Sequence, residues 1–415
     1  MTDPTTQAYE EITDADGPVA QREVRNGIRH MLSLSMTKVA DGLIDPKLVL
    51  SWLSTALGAP AALTGFLVPI REAGALLPQI VLASWVHSMA YRKWAWVAGS
   101  AGQAVAAGAI VVIALTLEGG TAGLALCGAL AVLALSRAAS SVSYKDILGK
   151  TVRKTRRGAV TGVAGSTASI AVLIFAGLLI SGLLRDITPV VIAIALASVL
   201  WGFAALLFAR IEEDASHNGA DSAFDLSPLK VDGQFRLFIV VRGLLTVTAL
   251  APPYFVMLGD SQSALSNLGA LLLASAAAAF AGSYVWGRLS DRSARKVLFL
   301  SGALAAAFAS LAVLAQLSGW ADTRWVVPAL LFFFMLSYQG VRSARSVYLV
   351  DMSPEDQRAS YAALANTVIG ALLLVTGAFG GLLALAGPVT ALSGFAVLAV
   401  VGGGLALRLD EVEKD

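Results

Sequence analysis

The sequence predicts an all-α membrane protein in which twelve transmembrane helices form two pseudo-symmetric six-helix bundles. Hydrophobic residues make up 57% of the 415 residues and charged residues only 14%, and the mean hydropathy is +0.73. Polar turns cut the chain into twelve apolar stretches, each close to the ~20 residues that a helix needs to cross a bilayer. A sequence repeat also relates the second half of the chain to the first, which predicts two similar bundles.

The twelve predicted spans divide evenly between the two halves. The first six lie at residues 28–57, 61–86, 94–117, 121–148, 159–184 and 187–209. The other six lie at residues 235–257, 263–286, 297–319, 326–350, 359–385 and 388–408. We therefore predict an N-terminal bundle at 28–210, a cytoplasmic linker at 211–234 and a C-terminal bundle at 235–408. Cytoplasmic tails would occupy 1–27 and 409–415, and the first, which is polar and acidic, is expected to be disordered.

Alternate loops between the predicted spans are basic, including Lys150 to Arg157 and Arg288 to Lys296. The positive-inside rule places these loops and both chain ends in the cytoplasm. The Ala-, Gly- and Leu-rich composition suits a bacterial inner membrane. We expect the lipid bilayer and no nucleic acid as a partner, and we expect a monomer.

Enzyme chemistry has no support in the sequence, so we predict no enzymatic activity and no cofactor. Cys127 is the single cysteine and the three histidines lie far apart, so no metal site is predicted. Gly149-Lys150-Thr151 lacks the leading glycine of a phosphate-binding loop. The sequence therefore predicts no machinery for ATP hydrolysis.

The repeat and one loop carry a family resemblance. Leu135 through Arg157 aligns without gaps onto Leu336 through Arg358, an offset of 201 residues. The loop from Gly287 to Lys296 reads Gly-Arg-Leu-Ser-Asp-Arg-Ser-Ala-Arg-Lys. It resembles the signature loop of the major facilitator superfamily, the twelve-helix secondary transporters. The first-half copy is degenerate because His87 stands where the acid is expected.

The resemblance implies a conformational latch in this loop, formed by Gly287, Asp291, Arg292, Arg295 and Lys296. Asp291 would cap the neighbouring eleventh helix electrostatically, and Gly287 would let two helices approach closely. The alternative is a basic cytoplasmic turn retained for topology. For His87, the alternatives are a loop histidine without a switching task and a weak pH-sensitive latch.

Charges inside the spans are candidate site residues, because each costs roughly 2.5 kcal/mol or more at the bilayer centre. The first helix offers Asp41 and Asp45 as well as Lys38, and Pro46 predicts a kink there. The second helix offers Arg71 and Glu72, one of which should meet an opposite charge. The carboxyl groups of Asp41, Asp45 and Glu72 are the candidates for reversible protonation. A mutually neutralising packing network is the alternative.

The other candidates for a solute cavity are four arginines and one tyrosine: Arg137, Arg242, Tyr338, Arg342 and Arg345. Guanidinium groups bind carboxylate or phosphate bidentately, so they favour an anionic or zwitterionic solute. The alternative for Arg342 and Arg345 is that they extend to the cytoplasmic surface and serve only orientation.

Together these features predict a secondary active transporter that moves a small organic solute by alternating access, coupled to protons. Efflux of drugs or toxic metabolites is an alternative within transport. A transporter-like sensor or assembly factor that binds a solute without moving it is an alternative outside transport. The direction of transport and the substrate stay open.

Overall fold

The computed structural model describes residues 4–13, 19–181, 187–215, 227–258, 264–290, 292–354 and 357–412. The side chains at 80, 87, 227, 264–266, 283, 284 and 359 are outside that description. All regular secondary structure in the described ranges is helical. This agrees with the predicted all-α class.

Nine helices belong to the first half of the chain. They are α1 (Pro4–Ile12), α2 (Gln21–Leu43), α3 (Val49–Ala56), α4 (Ala61–Leu76), α5 (Gln79–His87), α6 (Lys93–Thr116), α7 (Gly119–Thr151), α8 (Arg157–Ile180) and α9 (Thr188–Phe208). Span 1 consists of α2 and α3, span 2 of α4 and α5, and spans 3 to 6 of α6 to α9.

The second half begins with the short helix α10 (Ser227–Val231). Span 7 consists of α11 (Gly233–Leu244), α12 (Val247–Leu250) and α13 (Pro252–Val256). Spans 8 to 12 are α14 (Ala264–Ser290), α15 (Ala294–Leu317), α16 (Val326–Met352), α17 (Arg358–Ala384) and α18 (Pro388–Ala406). The described segments next to the two chain ends lie at the end of the bundle where the halves are linked, since Arg22 pairs with Asp214 and the Asp410 N–H donates to Gln234. We call this end the tail side; the opposite end is the far side.

Nine segments in the described part of the chain are long and apolar enough to cross a membrane. The remaining predicted spans, 1, 2 and 8, are not among these nine segments. Span 1 is polar and broken between α2 and α3, and span 2 is broken at Pro78; in the 27-residue α14, the stretch Asn267–Gly282, which lies between residues whose side chains are not described, is apolar. Twelve successive spans are therefore consistent with the helix order.

The two halves have the same packing pattern. In the first, α2 packs on α8 and α9, α4 packs on α7, and α6 packs on α7 and α9. In the second, α11 packs on α17 and α18, α14 packs on α16, and α15 packs on α16 and α18. Each pair in one half has its counterpart in the other. This packing is consistent with the two predicted six-helix bundles.

Helix boundaries follow the sequence repeat. The helices α7 and α16 end at Thr151 and Met352, which are separated by the same 201 residues as the aligned segments. The next helices, α8 and α17, begin at Arg157 and Arg358 with the same offset. The internal repeat therefore extends to the places where helices stop and start.

Spans 1 and 7 break at equivalent positions, since α2 ends at Leu43 and α11 ends at Leu244. The predicted kink at Pro46 lies in the first break, where the chain leaves the helix before α3 starts. There the Asp45 Oδ1 atom accepts the Lys47 N–H at 2.8 Å, and the Ser51 hydroxyl donates to the Pro46 carbonyl at 2.7 Å. Irregular backbone at membrane depth is tolerated where protein or a water-filled cavity surrounds it.

The halves meet mainly along α4 with α17 and α8 with α14, which are symmetry-related pairs. Glycines allow the close approach: a methyl group at Gly370 would lie 2.9 Å from Leu77 Cγ, and one at Gly381 would lie 2.9 Å from Phe66 Cε2. At Gly377 it would collide with the Pro69 ring. These contacts run from the far side toward the centre of the bundle.

The expected disorder before residue 28 disagrees with the structure, because α1 is helical and α2 already begins at Gln21. The Tyr9 ring is buried where a side chain at Gly27 would collide with it. Tyr9 also joins an apolar cluster with Val24 and Leu148. The acidic composition suggested that this segment buries too little apolar surface to offset the entropy cost of ordering. The buried contacts of Tyr9 supply that apolar burial.

Candidate functional site

A cluster of charged side chains lies beside the break in span 1. We call it the central charge cluster; its members are Asp41, Lys47, Arg71, Glu72 and Arg137. It draws on α2, the break itself, α4 and α7, so three spans of the first half hold it. The break positions Lys47 because the chain there no longer follows the helix axis of α2.

Asp41 joins the two arginines of this cluster. One carboxylate oxygen is 3.3 Å from Arg71 Nη2, and the other pairs with Arg137 Nη1. The three side chains are partly buried, with 16 to 30% of each exposed. Asp41 is therefore a single acid that holds two cations from two other spans. Its protonation would leave both guanidinium groups with an unpaired charge.

Lys47 connects the two halves of the protein. Its Nζ atom lies 3.0 Å from Glu72 Oε1 and donates to the Tyr338 hydroxyl oxygen at 3.1 Å. The ammonium also sits 4.5 Å from the Tyr338 ring centroid, within cation–π range. Lys47 is 12% exposed, whereas Glu72 is 36% exposed, so water or a small molecule can reach the carboxylate.

Arginine 242 forms a second polar centre, on α11. It is only 6% exposed, and its Nη2 atom donates to Asn366 Oδ1 at 3.0 Å. Its Nε atom is buried and has no hydrogen-bond partner, and no carboxylate pairs with this guanidinium among the described residues. Arg345 is close enough to act electrostatically on both Arg242 and Glu72. The second half thus contains a buried cation, Arg242, with the half-buried Arg345 within electrostatic range.

The two centres occupy related places in the repeat. Asp41 and Arg242 are 201 residues apart, and so are Arg137 and Tyr338. The internal symmetry therefore places an acid in the first half where the second half has a buried cation. The charges at these two related positions are therefore opposite, although the first-half cluster as a whole contains two acids and three cations.

The remaining predicted residues take other positions. Asp45 binds the Lys47 backbone rather than a cation side chain, and Lys38 donates to the Thr161 carbonyl at 3.3 Å. Arg342 is exposed, whereas Arg345, one turn away, is half-buried. The structure therefore separates two arginines that the sequence had grouped on one side of the helix.

The signature loop shows contacts other than those of the predicted latch. Asp291 lies outside the described residues, as does the side chain of His87. A methyl group at Gly287 would meet no described atom within 4 Å, so the expected close helix approach is not present there. Arg295 Nη1 donates to the Leu409 carbonyl at 3.1 Å, and its Nε atom pairs with Glu411.

The other residues of this loop make local contacts. The Arg292 N–H donates to the Leu289 carbonyl at 3.2 Å. The Lys296 N–H donates to the Ser293 hydroxyl at 3.4 Å, which caps α15. A hydrogen bond from Ser293, helped by Arg295, holds the pKa of Glu411 below its usual range. The loop is thus tied to the C-terminal segment.

The linker contacts the degenerate first-half copy of the signature loop. Glu213 accepts the backbone N–H groups of Arg92 and Lys93 at 3.1 and 2.9 Å, at the start of α6. The neighbouring Glu212 is exposed, and hydrogen bonding from Arg25 holds its pKa below the usual range. An acid of the linker, 126 positions after His87 in the sequence, therefore caps α6, the helix that follows the degenerate first loop.

Sequence reasoning missed Lys47 and Asn366 as members of the two centres. Lys47 follows Pro46 in the broken part of span 1, and its partners are 25 and 291 residues away. Asn366 is an amide in an otherwise apolar stretch of α17. That isolation was the available signal, because an unpaired amide in a spanning helix needs a polar partner.

Comparison of the sequence with curated proteins found no match. A family model described as Major Facilitator Superfamily matches residues 237–415. Among solved structures, the chain is similar to the nucleoside transporter NupG, with TM-score 0.68 and 11% identity over 94% of this chain and 99% of that one.

Two further structures show the same likeness. The D-xylose-proton symporter aligns with TM-score 0.69 and 11% identity over 94% of this chain and 98% of that one. A POT family transporter in complex with 5-aminolevulinic acid aligns with TM-score 0.63 and 13% identity over 92% and 96%. At these identities the likeness concerns the fold. The family match thus covers the second half of the chain, and over the whole chain the likeness to these transporters is one of fold.

Proposed function

We propose that this protein is a secondary active transporter that carries a small anionic or zwitterionic organic solute across the bilayer by alternating access, coupled to protons. The family and the fold support secondary transport in general. The solute class and the coupling rest on the two polar centres described above.

The observation that carries the solute class is the unpaired guanidinium of Arg242. A buried cation without a carboxylate partner is costly, because its charge has lost water and gained only one amide contact. Its free Nε donor and the nearby Arg345 suit an anionic group that supplies two oxygens. A bound carboxylate would satisfy the donor that Asn366 leaves unpaired.

A zwitterion fits the site better than a simple anion. The Glu72 carboxylate pairs with Lys47 of the first half and also lies within electrostatic range of Arg345 of the second half. Its exposed oxygen can accept a solute ammonium while the Arg242 side binds a carboxylate. The similar structure that holds 5-aminolevulinic acid, an amino acid, supports this choice of class.

Asp41 is the proposed proton carrier. It is the one acid that joins Arg71 to Arg137, so gaining a proton would release two spans from α2 at once. Glu72 is the second candidate, because its proton would release Lys47 from the contact between the halves. Asp45 is the weakest of the three, since its carboxylate already serves the backbone of the break. The tail side would face the cytoplasm, as the basic loops predict.

The proposal is tested by binding and uptake with a matched pair of arginine variants. Purified protein in detergent is titrated with amino acids, carboxylates and lipophilic cations, and solutes that raise its melting temperature are carried into liposome uptake. Arg242→Gln is expected to weaken binding of the anionic or zwitterionic solute by about tenfold or more and to abolish uptake. Arg408→Gln, at an exposed position after α18, is the control and should leave both unchanged.

Binding and uptake of lipophilic cations, with no effect of Arg242→Gln, would contradict the solute class and favour drug efflux. For the coupling, an imposed pH gradient should drive uptake in the wild type but not in Asp41→Asn. Gradient-driven uptake that survives both Asp41→Asn and Glu72→Gln would contradict the proton-carrier assignment.

A further inference from the structure

A second cavity lies at the far side, well away from the central charge cluster. Its volume is about 410 Å³, within the size range of small-molecule sites. It is bounded by the end of α3, the end of span 7, the start of α14 and the loop before α16. Along α3 alone it lies about 10 Å beyond the break that holds Lys47. The cavity is therefore separate from the proposed transport site.

The walls of this far-side cavity are apolar and contributed by both halves. Trp52 comes from the first half, and Phe255, Leu271 and Val327 come from the second. Aromatic and aliphatic walls of this kind favour an apolar side chain over a fully hydrated ion. A ligand bound here would touch both halves and would therefore sense their relative position.

Three polar groups supply recognition in the same cavity. The Oδ1 atom of Asn267 is buried and has no hydrogen-bond partner among the described residues, so it is an acceptor that a ligand ammonium would satisfy. Asp322 and Arg324 also line the cavity, and neither forms an ion pair with any described residue. The Arg324 guanidinium lies 5.3 Å from the Trp325 ring centroid, which holds it beside the loop.

We infer that this cavity is a binding site for a zwitterion with an apolar side chain, of the size of a free amino acid. The carboxylate binds Arg324, the ammonium binds Asp322 and Asn267 Oδ1, and the side chain packs on Trp52 and Phe255. One acid and one base flank an apolar chamber, which suits a molecule that carries both charges and no net charge. Such a site would collect solute at the far side or adjust the approach of the halves there.

The test measures binding of L-phenylalanine to the whole protein in detergent by isothermal titration, in an Arg242→Gln background that disables the proposed central site. Binding should persist in that background and weaken about tenfold or more on Arg324→Gln or Asp322→Asn. Arg408→Gln is the matched control and should have no effect. Leu271→Trp, which fills the cavity without changing charge, should also abolish binding.

Two analogues test the need for both charges. Phenethylamine lacks the carboxylate and 3-phenylpropionate lacks the ammonium, so each should bind at least about tenfold more weakly than L-phenylalanine. Absence of phenylalanine binding in the background variant, or binding that the three cavity variants leave within about twofold, would overturn the far-side site. Uptake that depends on Arg242 would stand in either case, so failure of this site is distinguishable from failure of the proposed function.

Discussion

Replacing Lys47 by methionine tests whether the pair between the halves contributes to stability. Methionine keeps the length of the side chain but removes the charge, so the Glu72 carboxylate and the Tyr338 hydroxyl both lose their partner. Removing one member of a buried ion pair costs about 3 to 5 kcal/mol. Because 36% of Glu72 is exposed, water recovers part of this, and we expect a loss of about 2 kcal/mol in the free energy of unfolding.

The double variant Lys47→Met with Glu72→Gln isolates the pair from general damage. Without the lysine, a neutral glutamine is better tolerated than an unpaired carboxylate, so the double variant should recover about 1 kcal/mol relative to Lys47→Met. Unfolding would be followed by far-UV circular dichroism of the detergent-solubilised protein in urea. Lys230→Met, at an exposed lysine, serves as the control.

Losses that add in the double variant, with no coupling beyond about 0.3 kcal/mol, would refute the pair as a stabilising contact. A loss for Lys230→Met equal to that for Lys47→Met would refute the role of position. In either case the link that Lys47 provides between the halves would have to be abandoned as an energetic feature.

Three further predictions concern the interface of the halves, the linker and the C-terminal segment. Gly377→Leu should push α17 away from Pro69, and it should increase maleimide labelling of Leu258→Cys several-fold in a Cys127→Ala background. Gly404→Leu is the control, because an added carbon there meets no described atom within 4 Å, and it should not increase labelling. Equal labelling in the two variants would contradict the close packing. Glu213→Gln should cost about 2 kcal/mol of stability because it weakens two hydrogen bonds from backbone N–H groups at the start of α6. Asp214→Asn is the control and should change stability little, because the Asp214 side chain is 75% exposed. Equal effects of the two variants in thermal unfolding would contradict the capping role of Glu213. The pKa of Glu411 is lowered in the folded protein, so its contribution to stability is present above the ordinary glutamate range and is lost as pH falls through the lowered pKa. Amide exchange at 407–412 should therefore rise as pH falls across that window, and Ser293→Ala should move the rise to higher pH. A rise at the same pH in both proteins would contradict the role of Ser293.

The helix pattern was largely predictable because long apolar stretches and the repeat fix where spans occur. The offset of 201 residues even relates the observed ends of α7 and α16. The helix α2 begins at Gln21, seven residues before the predicted start of span 1 at residue 28. Composition described that segment as polar, but its few apolar side chains pack on α2 and α7, and such contacts depend on the folded arrangement.

The site was less predictable because charge pairing is a property of three dimensions. The charges of Asp41, Arg71 and Glu72 marked the region, but their partners depend on where the break in span 1 directs Lys47. Arg342 and Arg345 were grouped because they are three residues apart. Three residues turn a helix by about 300°, so two such side chains point some 60° apart and can differ in burial at the edge of a helix face.

Solute counterflow in proteoliposomes tests the central claim most directly. Vesicles loaded with an unlabelled solute identified by the binding screen are diluted into labelled solute at equal pH on both sides. The account predicts a transient accumulation of label in the wild type and none in Arg242→Gln. Binding without counterflow in the wild type would contradict transport and identify a solute sensor instead.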